Sequence, residues 1–312
     1  MKEKFLLLLI IIICMSSKLL AQSDINMTTH WYNRASYNPA FIARPDYLYL
    51  FTNVRSQWLG VDGAPKTLNV EASGYIESLN SAFGISIVND KIGLTSSINP
   101  TVLYAYRIGD DLNWSLSFGL SGGIVSRSIN TSDFNPKTPS DPSLYNYNDN
   151  SLQPDANVGV EFENNHLILG ISSTHLFALK NSANLFLNSN HRYAYAIYKN
   201  TSNEMLNYNL GLQMVNRENL TILEGNARVQ FRKPLGLTNS LRNIFDIGLT
   251  CRTSKMITFL IGFNIVQDLH IGYAYDQSFI SGLSTYSTNE IMLEYRIPSI
   301  ISSKCKHCPD KR

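Results

Sequence analysis

The chain has 312 residues, of which 44% are hydrophobic, 11% aromatic and 16% charged, and its formal net charge is +2. The charged fraction is well below the roughly 25% of an average soluble domain, and the basic excess of a nucleic-acid-binding domain is absent. The length allows one large β domain or two smaller ones, and no linker-like stretch divides the sequence.

The first residues have the pattern of a secretory signal peptide. Two lysines precede the apolar run Phe5 to Cys14, and Ala21 provides a small residue at a plausible cleavage point. The run is about ten residues, shorter than the roughly 20 that a membrane-spanning helix needs. The sequence therefore predicts a signal peptide over residues 1–21 and a nearly neutral mature chain.

Residues 22–45 carry several aromatic residues without strand alternation, whereas residues 46–298 alternate apolar with small or polar residues. Successive side chains of a strand point to opposite faces. Near the end, Ile291 and Tyr295 share one face while Glu290 and Glu294 share the other. The alternation predicts about fourteen strands. They lie near residues 46–57, 66–76, 82–89, 93–107, 111–127, 155–163, 166–176, 191–199, 206–215, 219–231, 243–252, 256–266, 268–277 and 288–297.

This pattern predicts an all-β fold, a transmembrane antiparallel β-barrel of the outer membrane. Its polar faces are mostly Asn, Ser, Gly and Gln, as a lumen requires, and its apolar faces carry aromatic residues near strand ends, as an interfacial girdle would. A soluble β-sandwich also alternates, but its inner faces would be apolar and its outer faces more heavily charged. Outer-membrane lipid is therefore one expected partner.

The connections between strands are unequal. Tight turns, typical of the periplasmic side of such barrels, are predicted at Gly109–Asp110, Asn164–Asn165 and Gln267–Asp268. Longer connections at the other mouth are predicted over residues 130–154, 176–190 and 278–287. We expect residues 22–45 either to fold into the lumen as a plug or to cover the periplasmic mouth.

Catalytic and metal-binding motifs are weak. Gly119 to Gly123 matches the G-x-S-x-G nucleophile elbow, but that motif needs a strand, a sharp turn and a helix around its serine, and Ser121 lies within a strand pattern. In the polar tail, residues 299–312, Cys305 and Cys308 could form a thiol pair, a disulfide or half of a zinc site. The sequence predicts no catalytic residue, no cofactor and no metal.

The segment from Arg55 to Thr67 predicts a hairpin between the first two strands. Its turn chemistry comes from Gly60, Gly63 and Pro65, and Trp58 suits a membrane interface. An alternative interpretation is that Arg55 and Gln57 order this loop for a protein partner.

Several motifs follow one another along the mature chain: Tyr37-Asn38-Pro39-Ala40, Arg55 to Thr67, Asn89 to Gly93, Gly272 to Asp276 and Glu290 to Arg296. As an ordered set they resemble the PorP/SprF family of the Bacteroidetes type IX secretion system. The resemblance implies a noncatalytic outer-membrane component that assists secretion or cell-surface attachment of type IX substrates, such as gliding-motility adhesins. Other type IX secretion components are further implied partners.

The resemblance also implies partner-binding or structural roles for particular residues: Tyr37, Asn38, Pro39, Arg55, Gln57, Trp58, Gly60, Gly63, Pro65, Asp276, Glu290 and Arg296. Recognition of a substrate's C-terminal signal domain by the outer mouth is a further expectation, motivated by the long connection over residues 130–154. Alternation by itself suits a general porin or solute transporter equally well, and this is the alternative function.

Overall fold

The computed structural model describes residues 27–45, 47–110, 113–129, 151–177, 189–200, 205–217, 220–235, 238–266, 268–280, 282 and 284–298. The predicted signal peptide, residues 22–26, residues 130–150 and the tail with Cys305 and Cys308 lie outside the described residues.

Fourteen antiparallel strands form a closed barrel in which each strand pairs with the next along the chain and the first pairs with the last. The strands are β1 (Tyr47–Ser56), β2 (Lys66–Ile76), β3 (Ser81–Ile92), β4 (Thr95–Asp110), β5 (Trp114–Ile129), β6 (Ser151–Asn164), β7 (Leu167–Thr174), β8 (His191–Asn200), β9 (Leu206–Arg217), β10 (Leu220–Leu235), β11 (Thr238–Arg252), β12 (Met256–Val266), β13 (Leu269–Ser278) and β14 (Thr288–Pro298). Short 3-10 helices span Thr29–Trp31, Pro39–Ile42 and Glu77–Leu79. Among the described residues, no helix is long and apolar enough to cross a membrane. The predicted barrel is confirmed.

The two faces of each strand follow the predicted alternation. On β5, Phe118 and Leu120 are exposed on the outer wall, whereas Ser115, Ser117 and Ser121 are buried inside. The same holds on β9, where Leu212 is 70% exposed. Such large apolar side chains face outward all around the wall, as contact with hydrocarbon requires.

Several predicted boundaries are wrong, and β11, for example, begins at Thr238 and not near residue 243. Gly109 and Asp110 are not a turn but the last residues of β4, paired with Ser115 and Trp114 of β5. The connection predicted over residues 130–154 ends earlier, because β6 already begins at Ser151. Pro154 belongs to β6 and is paired with β5. The part of β6 that contains Pro154 has no pairing with β7, so the strand has a free edge there and the missing N–H of proline is tolerated.

The lengths of the connections distinguish the two mouths. Because the number of strands is even, β1 begins and β14 ends at the same mouth, which also has the connections at residues 77–80, 111–113, 165–166, 201–205, 236–237 and 267–268. The opposite mouth has residues 57–65, 93–94, 130–150, 175–190, 218–219, 253–255 and 279–287. Short turns mark the periplasmic side of such barrels. The mouth with the longer connections is therefore the outer one.

Residues 27–45, here called the plug, lie inside the barrel. Asn38 caps the 3-10 helix Pro39–Ile42 by accepting a hydrogen bond from the Ala40 N–H at 3.0 Å. Phe41 and Ile42 pack against an apolar patch of the inner wall formed by Ala82, Leu103 and Ala105. Trp31 and Tyr37 pack against a second patch formed by Ile168, Tyr195 and Ile197. The inner wall is therefore not uniformly small and polar, because it turns apolar where the plug covers it.

Candidate functional site

The outer half of the lumen contains a buried ionic cluster. Arg55 lies one residue from the outer end of β1, and its guanidinium is 2.9 Å from Asp276 of β13 and 2.9 Å from Glu290 of β14. All three side chains are at most 4% exposed. In such surroundings a lone carboxylate would be costly, so the arginine and the two acids depend on one another.

Glu290 also binds the upper end of the plug. Its carboxylate accepts the backbone N–H of Thr28 at 2.7 Å and that of Thr29 at 3.0 Å, and it accepts the Thr29 hydroxyl. The Thr28 hydroxyl donates to Asp276 at 2.9 Å. The first N–H groups of a helical turn have no partner within the turn itself. The barrel wall therefore supplies the acceptors that the plug lacks.

A second acid extends this anchor around the wall. Glu224 of β10 lies 2.8 Å from the imidazole of His30 and accepts the indole N–H of Trp31. The guanidinium of Arg252 on β11 pairs with Glu224, and its far end is 3.9 Å from Asp276. The two acid clusters are thus joined through Arg252 into one network beneath the outer mouth.

The middle of the plug is held on the opposite wall. Arg34 donates twice to Glu161 of β6, at 2.9 and 3.2 Å, in the bidentate geometry that suits guanidinium and carboxylate. Glu161 also accepts from Tyr195, whose hydroxyl receives the Asn38 amide at 2.7 Å. The plug is therefore fixed by charge on both sides of the lumen.

Two further polar contacts complete the middle level. The Asn33 amide donates to Glu71 of β2 at 3.1 Å, and the Tyr32 hydroxyl donates to Asp246 of β11. These contacts tie the plug to β2 and β11 as well.

Three glycines let the plug approach the wall. A Cβ atom on Gly119 would lie 2.0 Å from the Ala40 nitrogen, and one on Gly159 would lie 2.0 Å from the Asn38 side-chain oxygen. On Gly211 it would lie 2.3 Å from the Trp31 ring. These residues lie on β5, β6 and β9, so backbone and plug meet closely on several strands.

The plug leaves the lumen at the periplasmic mouth. Arg107 of β4 donates to the Ala43 carbonyl at 3.0 Å. Arg44 lies 3.6 Å from Glu294 and stacks over the Tyr49 ring at 3.6 Å. Arg296 donates to the same Glu294 at 2.7 Å. This cluster fixes the point where the plug turns into β1.

At the outer mouth, the hairpin loop of residues 57–65 is tied to its neighbours. Gln57 and Pro65 close the loop through a backbone hydrogen bond of 2.9 Å. The Leu59 N–H donates to the Ser287 carbonyl at 2.9 Å, and the Gly93 N–H donates to the Gly63 carbonyl at 2.8 Å. Gly60 and Gly63 have φ values of +94° and +74°, which glycine adopts without strain. A third contact with a neighbouring element is the Trp58 N–H, which donates a hydrogen bond to the Thr288 hydroxyl at 3.2 Å.

The site residues predicted from the sequence lie in four different parts of the structure. Tyr37, Asn38 and Pro39 belong to the plug and are buried. Arg55, Asp276 and Glu290 meet in the outer-half cluster, so the Arg55 side chain points into the lumen and not toward the loop. Gln57, Trp58, Gly60, Gly63 and Pro65 form the outer hairpin loop, and Arg296 lies near the periplasmic end of β14.

Sequence reasoning missed several residues that hold the plug. They are Arg34, Glu71, Glu161, Glu224, Asp246 and Arg252. All of them except Arg34 lie on strands, and each is a charged residue at an inward position of the alternation. This position is the sequence signal that could have found them. The alternation predicts inner faces of mostly Asn, Ser, Gly and Gln and does not single out these charges.

The structure gives the G-x-S-x-G match an ordinary structural role. Ser121 lies within the continuous strand β5, where its hydroxyl accepts the Asn157 amide at 2.8 Å. The strand, turn and helix of a nucleophile elbow are therefore not formed around it. In the part of the chain that the structure describes, no group of three or more His, Cys, Asp or Glu side chains could hold a metal ion.

Residues 19–295 match the family described as "Type IX secretion system membrane protein PorP/SprF". The chain belongs to the PorP/SprF family. The sequence resemblance is thereby confirmed, and the chain is a membrane component of type IX secretion. No curated protein matches the sequence.

The chain is similar to several solved structures. The P. putida toluene transporter TodX aligns with a TM-score of 0.51 at 10% identity, covering 86% of this chain and 94% of that chain. A Pseudomonas aeruginosa FadL homologue aligns at 0.42 and 12% identity, covering 84% and 92%. The Acinetobacter baumannii outer membrane protein Omp33 aligns at 0.45 and 8% identity, covering 81% and 98%. With the TodX likeness and the closed barrel, the family membership establishes this PorP/SprF protein as an outer-membrane barrel.

Proposed function

We propose that this PorP/SprF protein is a noncatalytic scaffold of the outer membrane that assists secretion or cell-surface attachment of type IX substrates, such as adhesins. Its client is a secreted protein, engaged at the outer mouth through the substrate's C-terminal signal domain. Other type IX secretion components are its neighbours in the membrane.

The observation that carries this proposal is the filled lumen. The plug is bound by Glu290, Glu224 and Glu161 on separate parts of the wall, and the inner wall turns apolar beneath it. A general porin needs a water-filled polar path, whereas a scaffold gains rigidity from a packed interior. The plug therefore favours a scaffold over a general porin.

The outer hairpin loop supports a role in protein contact. Its backbone is bonded to β14 and to the turn after β3, so it is held in one shape. At its tip Leu59 is 49% exposed, and Phe279 in the neighbouring connection is 58% exposed. A rigid loop with exposed apolar side chains loses little conformational entropy when a partner binds.

The proposal is tested in cells that lack the protein. Surface proteins of intact cells are released by protease and identified by mass spectrometry, with the culture medium measured in parallel. Loss of particular type IX substrates from the surface, restored by the wild-type chain, is the expected result. Complementation with the Ser121→Ala variant is the control, and it restores display as well. A full set of substrates on cells without the protein would contradict the proposal.

A further inference from the structure

Both ring nitrogens of His30 in the plug face groups that accept hydrogen bonds. Nδ1 lies 2.6 Å from the Met27 carbonyl oxygen, and Nε2 lies 2.8 Å from the Glu224 carboxylate. A neutral imidazole carries a hydrogen on one nitrogen only, whereas the imidazolium carries one on each. Because His30 is buried, water has little access to replace a contact that is not made. The two contacts together therefore fit the protonated ring.

The proton between His30 and Glu224 belongs on the histidine. The Glu224 carboxylate also accepts a hydrogen bond from the Arg252 guanidinium and another from the Trp31 indole N–H. Hydrogen bonds to a carboxylate and a nearby cation both favour its charged form. The pair is therefore an imidazolium beside a carboxylate, and not a neutral imidazole beside a carboxylic acid.

The charge balance of the network beneath the outer mouth leads to the same assignment. Three carboxylates and two guanidiniums are joined in it, namely Glu224, Asp276, Glu290, Arg55 and Arg252. These residues alone leave one negative charge without a cation, and a protonated His30 supplies the missing positive charge. A buried charge without a partner is costly. The network is therefore balanced only when His30 carries its second proton.

The groups around His30 suit a cation. Its ring centroid is 5.1 Å from that of Trp31 and 5.7 Å from that of Tyr37. Both distances lie within the roughly 6 Å over which an aromatic ring attracts a positive charge. From the wall, Glu224 of β10 pairs directly with His30, and Arg252 of β11 lies on the other side of that carboxylate.

His30 directly follows the residues that bind Glu290. The Thr28 and Thr29 backbone N–H groups donate to that carboxylate at 2.7 and 3.0 Å. The contacts of residues 28–31 with the wall are here called the upper anchor. A neutral His30 would leave one of its two ring contacts unmade and would leave the network with excess negative charge. Both effects weaken the upper anchor.

We propose that His30 is a proton-binding site that makes the upper anchor depend on pH. Because the folded protein holds the charged form, its stabilising contribution is present at mildly acidic pH and is lost as the pH rises and the proton leaves. Histidine is the side chain whose charge ordinarily changes between about pH 5 and pH 8. The inference concerns the plug alone and does not depend on the proposed function.

Hydrogen exchange of the full-length protein in lipid vesicles tests this assignment. Protection factors, which correct for the effect of pH on exchange itself, are measured for the Thr28 and Thr29 amides at about pH 6 and about pH 8.5, on either side of the usual histidine range. The wild type is expected to lose about tenfold or more in protection at the higher pH, the factor that a hydrogen bond to a charged group is worth.

Two replacements of His30 separate its charge from its ring. His30→Gln keeps a donor for Glu224 but has no proton to release, so low protection is expected at both pH values. His30→Lys keeps a cation throughout this range, so high protection is expected at both. His175→Gln is the matched control, because His175 also pairs with a carboxylate, that of Asp155 at 3.0 Å. It is expected to retain the pH dependence of the wild type.

Equal protection of the wild-type amides at the two pH values would overturn the proposal. A pH dependence of wild-type size in His30→Gln would do the same, because the titrating group would then lie elsewhere. If His30→Gln is not recovered as folded protein, His30→Lys decides the question. A tenfold loss of protection in that variant at the higher pH would also rule out His30 as the site.

Discussion

At the scale of single residues, the plug is held by a few buried charges whose partners come from distant parts of the sequence. Arg55 is the cation between Asp276 and Glu290, and Glu290 in turn accepts the plug backbone at Thr28 and Thr29. Removing the guanidinium that lies 2.9 Å from both carboxylates leaves their buried charge poorly compensated. Arg55 therefore acts on the plug through the acids that it neutralises.

Replacing Arg55 by methionine tests this coupling. Breaking a buried ion pair from one side costs about 3–5 kcal/mol, so Arg55→Met is expected to lower the free energy of unfolding strongly. Urea unfolding in lipid vesicles, followed by tryptophan fluorescence, measures it. The control is Lys199→Met, whose partly exposed pair with Glu163 is worth about 0–1 kcal/mol. Equal unfolding midpoints for the two variants would rule out the coupling, and adding Glu290→Gln to Arg55→Met is expected to restore part of the loss.

The glycines of β5 provide a second test on the scale of one methyl group. Gly119→Ala would press a Cβ against the plug backbone at Ala40, and overpacking of this kind costs about 1–3 kcal/mol. Gly122→Ala, on the outer face of the same strand, meets nothing within 4 Å. Protease digestion of folded protein is expected to cut the plug faster in Gly119→Ala than in the wild type and at the wild-type rate in Gly122→Ala. Identical rates in both variants would show that the plug does not depend on this contact.

At the scale of elements, strands could be predicted from sequence because their signal is local. Leu293 and Glu294 are adjacent in sequence and lie on opposite faces of β14, so two positions are enough to show the alternation. All fourteen predicted strands are present in the same order. The plug contacts carry no such signal. Arg34 and Glu161 are 127 positions apart, and they meet only because the barrel closes around the plug. The alternation can place Glu224 on an inward face, but it cannot show that His30 and Trp31 of the plug are its partners.

The hairpin between β1 and β2 gives a prediction for one element. Ser56 and Lys66 are paired across the two strands, so residues 57–65 can be replaced by a two-residue Asn-Gly turn without changing their register. The shortened protein is expected to fold and to retain its plug, yet to lose display of the type IX substrate in the surface-protease assay. Leu59→Ser in the full-length loop is the milder companion. Normal display by the shortened protein would exclude the loop as the docking surface.

At the scale of the whole molecule, the interior of the barrel bears on the proposed choice between a scaffold and a porin, which the alternation alone could not distinguish. An apolar outer wall is required for contact with lipid in a porin and in a scaffold alike. The difference lies inside, where the plug spans the lumen from the ionic cluster at Glu290 to the exit at Arg44. We therefore expect ion flow through the barrel to depend on the plug.

Conductance in planar bilayers measures this dependence. The wild-type protein is expected to give almost no current, because Trp31, Phe41 and their neighbours pack against the inner wall and obstruct the lumen. Deletion of residues 27–45 uncovers inward charges such as Glu224 and Arg252, which hold water, so stepwise currents are expected. Arg55→Met should fall between the two, with brief openings as the plug loosens. If the wild-type protein conducts as well as the deletion variant, the lumen is a pathway and the porin interpretation takes precedence over the scaffold.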